Sequence, residues 1–123
     1  MPGHLTTYGA NAILSGIAMP TTLYLAGHLG DPGVDADTSP AGETRRVSFG
    51  LDAPAGGATA NGTEATLTLA TDSETWTHVS LWDASSGGNP WWVLELEAPV
   101  LISSGQTIRL AAAALSLSLT LWS

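Results

Sequence analysis

From Pro20 onward the apolar side chains recur at every second position, and this alternation constrains the fold more than any other feature. In the last run Leu115, Leu117, Leu119 and Leu121 alternate with Ser116, Ser118 and Thr120. Earlier runs follow the same rule. Leu23 and Leu25 fall within 21–28, and Val47, Phe49 and Leu51 within 45–51. Ala65, Leu67 and Leu69 fall within 64–69, and Ile108 and Leu110 within 106–111. Within 77–83, Val79 and Leu81 stand against His78, Ser80 and Trp82; within 91–97, Trp92, Leu94 and Leu96 stand against Glu95 and Glu97. Successive side chains of a strand point to opposite faces, so each run has one apolar and one polar face, the pattern of antiparallel sheets.

Turn chemistry separates the runs: Gly30-Asp31-Pro32-Gly33, Ala53-Pro54-Ala55-Gly56-Gly57, Ser86-Gly87-Gly88-Asn89-Pro90 and Ser103-Ser104-Gly105. The expectation is an all-β chain, an antiparallel β-sandwich of about seven to eight strands in a single domain over 1–123. One short N-terminal helix precedes it. Leu5, Tyr8, Ala12, Ile13 and Ile17 lie near one face at helical spacing, which predicts a helix over 5–18 with Thr6 or Thr7 as N-cap and Pro20 as its stop. The long acidic loop at 30–43 is either functional or mobile.

Charge excludes whole classes of partner. Lys is absent, Arg45, Arg46 and Arg109 are the only Lys or Arg residues, and the net charge is -8. A phosphate backbone or an anionic bilayer requires a basic footprint, so neither nucleic acid nor membrane is an expected partner. No apolar run reaches the ~20 residues of a membrane span, and no signal peptide is visible. The chain has no Cys, hence no disulfide scaffold and no thiolate metal site.

Catalytic and cofactor signals are missing too. There is no G-x-S-x-G elbow, no phosphate-binding loop and no zinc spacing among His4, His28 and His78. Asp31, Asp35 and Asp37 share a loop without the calcium-loop spacing and read as solvated acids. Glu95 and Glu97 point to one side of a strand and read as a wet surface. The expectation is a non-enzymatic protein with no cofactor and no metal.

Five Trp against one Phe and two Tyr is the real compositional excess. Adjacent Trp91 and Trp92 point to opposite faces, and Trp82 and Trp122 fall on polar faces. Exposed Trp is enriched at the buried centres of protein interfaces. The contact candidates are therefore Trp91, Trp92, Trp122 and Trp82, with Leu5, Tyr8 and Ile13 on the helix. Stacking on a saccharide is the alternative use of such rings.

Three segments carry a resemblance. Thr22-Leu23-Tyr24-Leu25-Ala26-Gly27-His28-Leu29-Gly30-Asp31-Pro32-Gly33 resembles the LYLALHT-DPG segment of small tailed-bacteriophage virion proteins, the tail-fibre-like, minor structural or decoration proteins of actinobacterial phages. Trp76-Thr77-His78-Val79-Ser80-Leu81-Trp82-Asp83-Ala84 followed by Gly87-Gly88-Asn89 is similar to that family's W-x-H-x-x-L-x-D-A…GGN hairpin. Ser104 to Leu110 with the Ala111–Ala114 run is similar to its closing segment. Gly27 departs from the pattern, standing where the family has a large apolar residue.

The resemblance implies a virion protein on the exterior of head or tail, with no catalytic residues. Its first expected role is capsid decoration: a homo-oligomer, a trimer for preference, cementing the lattice of the major capsid protein. Its second is a minor tail or tail-fibre component that contacts the host, with glycan binding as a further role.

Overall fold

The structure, a computed structural model, describes residues 3–17, 19–42, 46–51, 58–60, 65–67, 73–105, 108–110 and 116–118. Strand β1 (Gly3–Leu5) leads into helix α1 (Thr7–Leu14), then β2 (Thr22–His28) and β3 (Val47–Gly50). The short strands β4 (Ala58–Ala60) and β5 (Ala65–Leu67) follow, then the long pair β6 (Glu74–Trp82) and β7 (Pro90–Ile102), and finally β8 (Ile108–Leu110) and β9 (Ser116–Ser118).

The described residues are mostly β, as the alternation requires. Five strands form an antiparallel sheet in the order β1-β7-β6-β2-β3, and β4-β9 and β5-β8 form two short ladders. Registers run Leu25↔Val47, Leu25↔Leu81 and Leu81↔Trp92, so Leu23, Leu25, Val47, Phe49, Val79, Leu81, Trp92 and Leu94 share one buried face. Burying a Leu, Val or Phe side chain contributes about 1.5–3 kcal/mol, which makes this face the main source of stability.

A β-bulge between Trp76 and His78 changes what alternation alone predicts for β6. By parity Trp76 belongs with His78 on the polar face. The bulge turns its indole onto the apolar face, where it is 3% exposed and lies over Gly27. A Cβ built on Gly27 falls 2.2 Å from Trp76 Cε2. The Trp76 ring thus fills the volume that a large side chain at 27 would occupy.

The helix is shorter than the expected 5–18. Leu5 lies on β1, whose register pairs it with Trp92, and the helix runs only from Thr7 to Leu14. Thr6 is the N-cap: its hydroxyl accepts the Gly9 N–H at 3.0 Å and donates to the Pro90 carbonyl. At the other end Ser15 N–H returns to the Asn11 carbonyl at 3.0 Å, and Gly16 turns the chain at φ +85°. That left-handed Gly, four residues before Pro20, is the stop. Gly9 lets the helix lie on β7, because a Cβ there would meet the Trp91 carbonyl oxygen at 2.5 Å.

Candidate functional site

The far side of the sheet carries a buried polar arrangement. His28 ends β2 on the face opposite Leu23 and Leu25. Across β6 its register partner is His78, with Ser80 and Trp82 further along the same face. Solvent does not reach His28 or Ser80 (3% and 0% exposed), because the 30–42 segment folds over them. Leu29 N–H donates to the Ser39 carbonyl at 2.9 Å, Ala41 N–H donates to the Gly27 carbonyl at 3.1 Å, and His28 bridges Pro40.

Hydrogen-bond chemistry fixes the His28 tautomer. Nδ1 lies 2.9 Å from the Thr38 carbonyl, which can only accept, so Nδ1 carries the proton. Trp82 Nε1–H donates to Ser80 Oγ at 2.8 Å, so the Ser80 hydroxyl is free to donate to His28 Nε2 at 2.7 Å. The relay runs Trp82, Ser80, His28, Thr38 and satisfies every buried polar atom in it. Burial is the main force holding the His28 pKa below 6.5; the Thr38 and Ser39 carbonyls oppose it and His78 adds to it.

A serine hydroxyl against an imidazole is the beginning of a nucleophilic pair, but here the orienting group is a carbonyl rather than a carboxylate, and Ser80 is sealed from solvent. The arrangement fastens a loop to a sheet.

Arg46 closes the rim. Its guanidinium carbon sits 4.1 Å above the Trp82 ring, and Nη1 donates to the Ala84 and Gly87 carbonyls at 2.8 and 2.7 Å. Burial lowers its pKa and Asp83 opposes that shift. Between Arg46, Trp82, His28, Ala36, Pro40 and Ala41 lies a cleft of about 160 Å³. The Gly87-Gly88-Asn89 turn underneath is held by Asp83, which accepts the Asn89 N–H at 2.8 Å. Gly87 and Gly88 adopt φ +64° and +70°, which favours Gly at both positions.

Of the two alternatives for the acidic loop, functional or mobile, the described part at 30–42 takes a docked form. Asp31 caps the Gly33 N–H at 2.9 Å, Val34 accepts the Thr7 N–H at 2.9 Å, and Ala36 is buried. Among the described residues no group of three or more His, Cys, Asp or Glu could hold a metal ion. None of the described helices is long and apolar enough to cross a membrane.

The aromatic contact candidates fall differently from their sequence positions. Trp91 and Trp92 point to opposite faces of β7, yet both are buried, at 2% and 3% exposure. Helix α1 covers Trp91, with Tyr8 edge-on at 5.6 Å, and Trp92 donates to Met19 Sδ inside the core. Neither ring is on the surface of the chain. Trp82 is half-buried with one face under Arg46. Leu5 and Tyr8 pack partly against the core, whereas Ile13 is exposed beside Leu14 and Ile17. Trp122 lies outside the described residues. The His28–Ser80 contact was invisible in the sequence, because its two residues are 52 positions apart and on separate strands.

Compared with known protein families, residues 4–118 match the model described as Podophage GP4 fiber I protein gp80. No curated protein matches the chain.

Proposed function

The chain belongs to the Podophage GP4 fiber I protein gp80 family, and from that membership we propose that it is a non-enzymatic component of a bacteriophage tail fibre. On this reading it sits on the virion exterior, bound to other virion proteins, and contributes to host contact. The observation that carries it is the match over residues 4–118 to a family described as a fibre protein. The sheet supports it, because β7 is buried on both faces over 91–94 and such a packed block suits assembly. The exposed Ile13, Leu14 and Ile17 on and beside α1 support contact with a neighbouring virion protein. Many copies on one particle add avidity without a large area per copy. We read the two short ladders as the second layer of a β-sandwich, and the Lys-free composition as suiting a phage of GC-rich actinobacteria.

Capsid decoration, the first expectation from the sequence, draws no support from a family described as a fibre. A saccharide platform at Trp82 would have to use the ring face that Arg46 leaves uncovered. The test is antibody labelling of purified virions in the electron microscope, with copy number per particle from quantitative mass spectrometry. The expected result is label confined to the tail and a few copies per particle. Label over the whole head, in numbers comparable to the major capsid protein, would replace the fibre reading with decoration.

A further inference from the structure

We propose that the cleft beside Arg46 is a binding site for a carboxylate carried on a small apolar group. The guanidinium is fixed before any ligand arrives. It stacks at 4.1 Å on Trp82, and Nη1 alone makes the bonds to the Ala84 and Gly87 carbonyls. Nε and Nη2 make no hydrogen bond among the described residues. These two nitrogens form one edge of the guanidinium plane, and their parallel N–H groups match the two oxygens of a carboxylate. Asp83, the acid next to Trp82 in the chain, is turned to other donors: its carboxylate accepts from the Asn89 N–H and from Trp91 Nε1–H.

Charge and size narrow the ligand. The chain carries eleven carboxylates against three Arg, yet no acid lines this cleft and one Arg does. Its other walls are the small apolar Ala26, Ala36, Pro40 and Ala41 with the rings of Trp82 and His28. Both His28 nitrogens are engaged, with Thr38 and Ser80, so that ring supplies a wall and not a donor. The cleft measures about 160 Å³, and a cavity of ~150 Å³ holds one benzene, so a group of about six heavy atoms fits. A phosphate or sulfate suits this lining poorly. Two of its oxygens pair with the Arg46 edge, and the others face alkyl walls that offer no donor. A carboxylate places both oxygens on the edge and turns its carbon substituent toward the alanines and the proline. This deepens the fibre reading and rests on it for one point only: on a fibre the carboxylate is an end group of a host-surface polymer, and elsewhere it is a free short-chain acid.

The experiment is an NMR titration of the isotope-labelled full chain at neutral pH and constant ionic strength, read at the Trp82 and Arg46 side-chain N–H signals. Sodium propionate is the free-acid probe, N-acetylalanine stands for an end group on a longer molecule, and propionamide is the uncharged control. The expected result is a saturable shift at both signals with the carboxylates, half-complete on the order of 10 mM for one bidentate pair in an open cleft. Propionamide gives none. Binding falls at least about tenfold in Arg46→Gln, which removes the edge, and in Ala26→Leu, which fills the cleft and keeps the cation. No saturable shift with either carboxylate, equal binding of propionamide or inorganic phosphate, or unchanged binding in the variants overturns the proposal. Should Arg46→Gln fail to fold, Ala26→Leu and the propionamide control decide. Binding of both carboxylates supports the end group, and binding of propionate alone supports the free acid. The titration uses the purified chain, so its failure leaves the virion labelling result standing, and label over the head leaves the chemistry of the cleft standing.

Discussion

Replacing Gly27 with Ala is the most demanding test of the packing described above. The added Cβ would lie 2.2, 2.3 and 2.6 Å from Trp76 Cε2, Cδ2 and Cζ2. Ordinary contact begins beyond 3.4 Å, so the indole must retreat by more than an ångström. It has little room to do so, being 3% exposed and tied through Nε1 to Glu74 at 2.9 Å. Overpacking of this kind costs about 1–3 kcal/mol, and with the ring fixed at both ends we expect about 3. For a chain of this size that lowers Tm by about 12 °C. Urea unfolding followed by far-UV circular dichroism gives the free energy directly, with an unchanged slope against denaturant.

The pair also makes a cycle. Trp76→Ala alone costs about 3–5 kcal/mol, and Gly27→Leu placed into the space it vacates should recover at least about 2 of that. A Gly27→Ala loss under about 0.5 kcal/mol, or strictly additive double variants, would refute the idea that these two residues share one volume.

The remaining expectations are simpler. Gly9→Ala should destabilise by about 2 kcal/mol in the same assay, against the ~1 kcal/mol gain that helix propensity alone predicts, because its Cβ meets the Trp91 carbonyl. Thr6→Ala removes both the cap on Gly9 and the bond to Pro90 and should cost about 1–2 kcal/mol by thermal melting. The His28 pKa is lowered in the fold, so the unfolded chain takes up its proton first. That contribution to stability is complete above about pH 6.5 and is lost as the pH falls below it, by up to about 1.4 kcal/mol per pH unit, which urea midpoints at pH 7.5 and 5.5 would show. Leu14→Asp, at a side chain 87% exposed, should leave the melting temperature within about 2 °C of the unsubstituted chain while reducing copies per virion.

Alternation made the sheet legible, since Leu23 and Leu25 in β2, Val47 and Phe49 in β3, and Trp92 and Leu94 in β7 face the core as their parity requires. What escaped was whatever depends on coverage from outside the strand. Ser80 sits on the polar face by sequence, yet it is sealed because a loop dozens of residues away folds over it. Trp91 looks like a surface ring until α1 lies across it. Trp76 changes face through a bulge, which shifts parity without leaving a mark in the residue pattern. Strand β1 spans only Gly3–Leu5, too short for any period to show, and it exists because β7 offers an edge beside it. The relay from Trp82 to Thr38 was illegible for the same reason: its members belong to a strand, its neighbour and a loop, and only topology brings them together.

The strand order has a kinetic corollary. Within the five-stranded sheet only β6 and β7 are joined by a short turn, whereas β2 must wait for β6 and β1 must wait for β7, roughly ninety residues downstream. Closing such separations costs chain entropy before any contact offsets it, so folding belongs in the millisecond-to-second range of β-rich domains. The β6–β7 hairpin is the natural nucleus, and the amino-terminal strand and helix are the last to dock. During synthesis, Leu5, Tyr8 and Ala12 stay uncovered until β7 has left the ribosome, and this interval is when the nascent chain is most open to wrong partners.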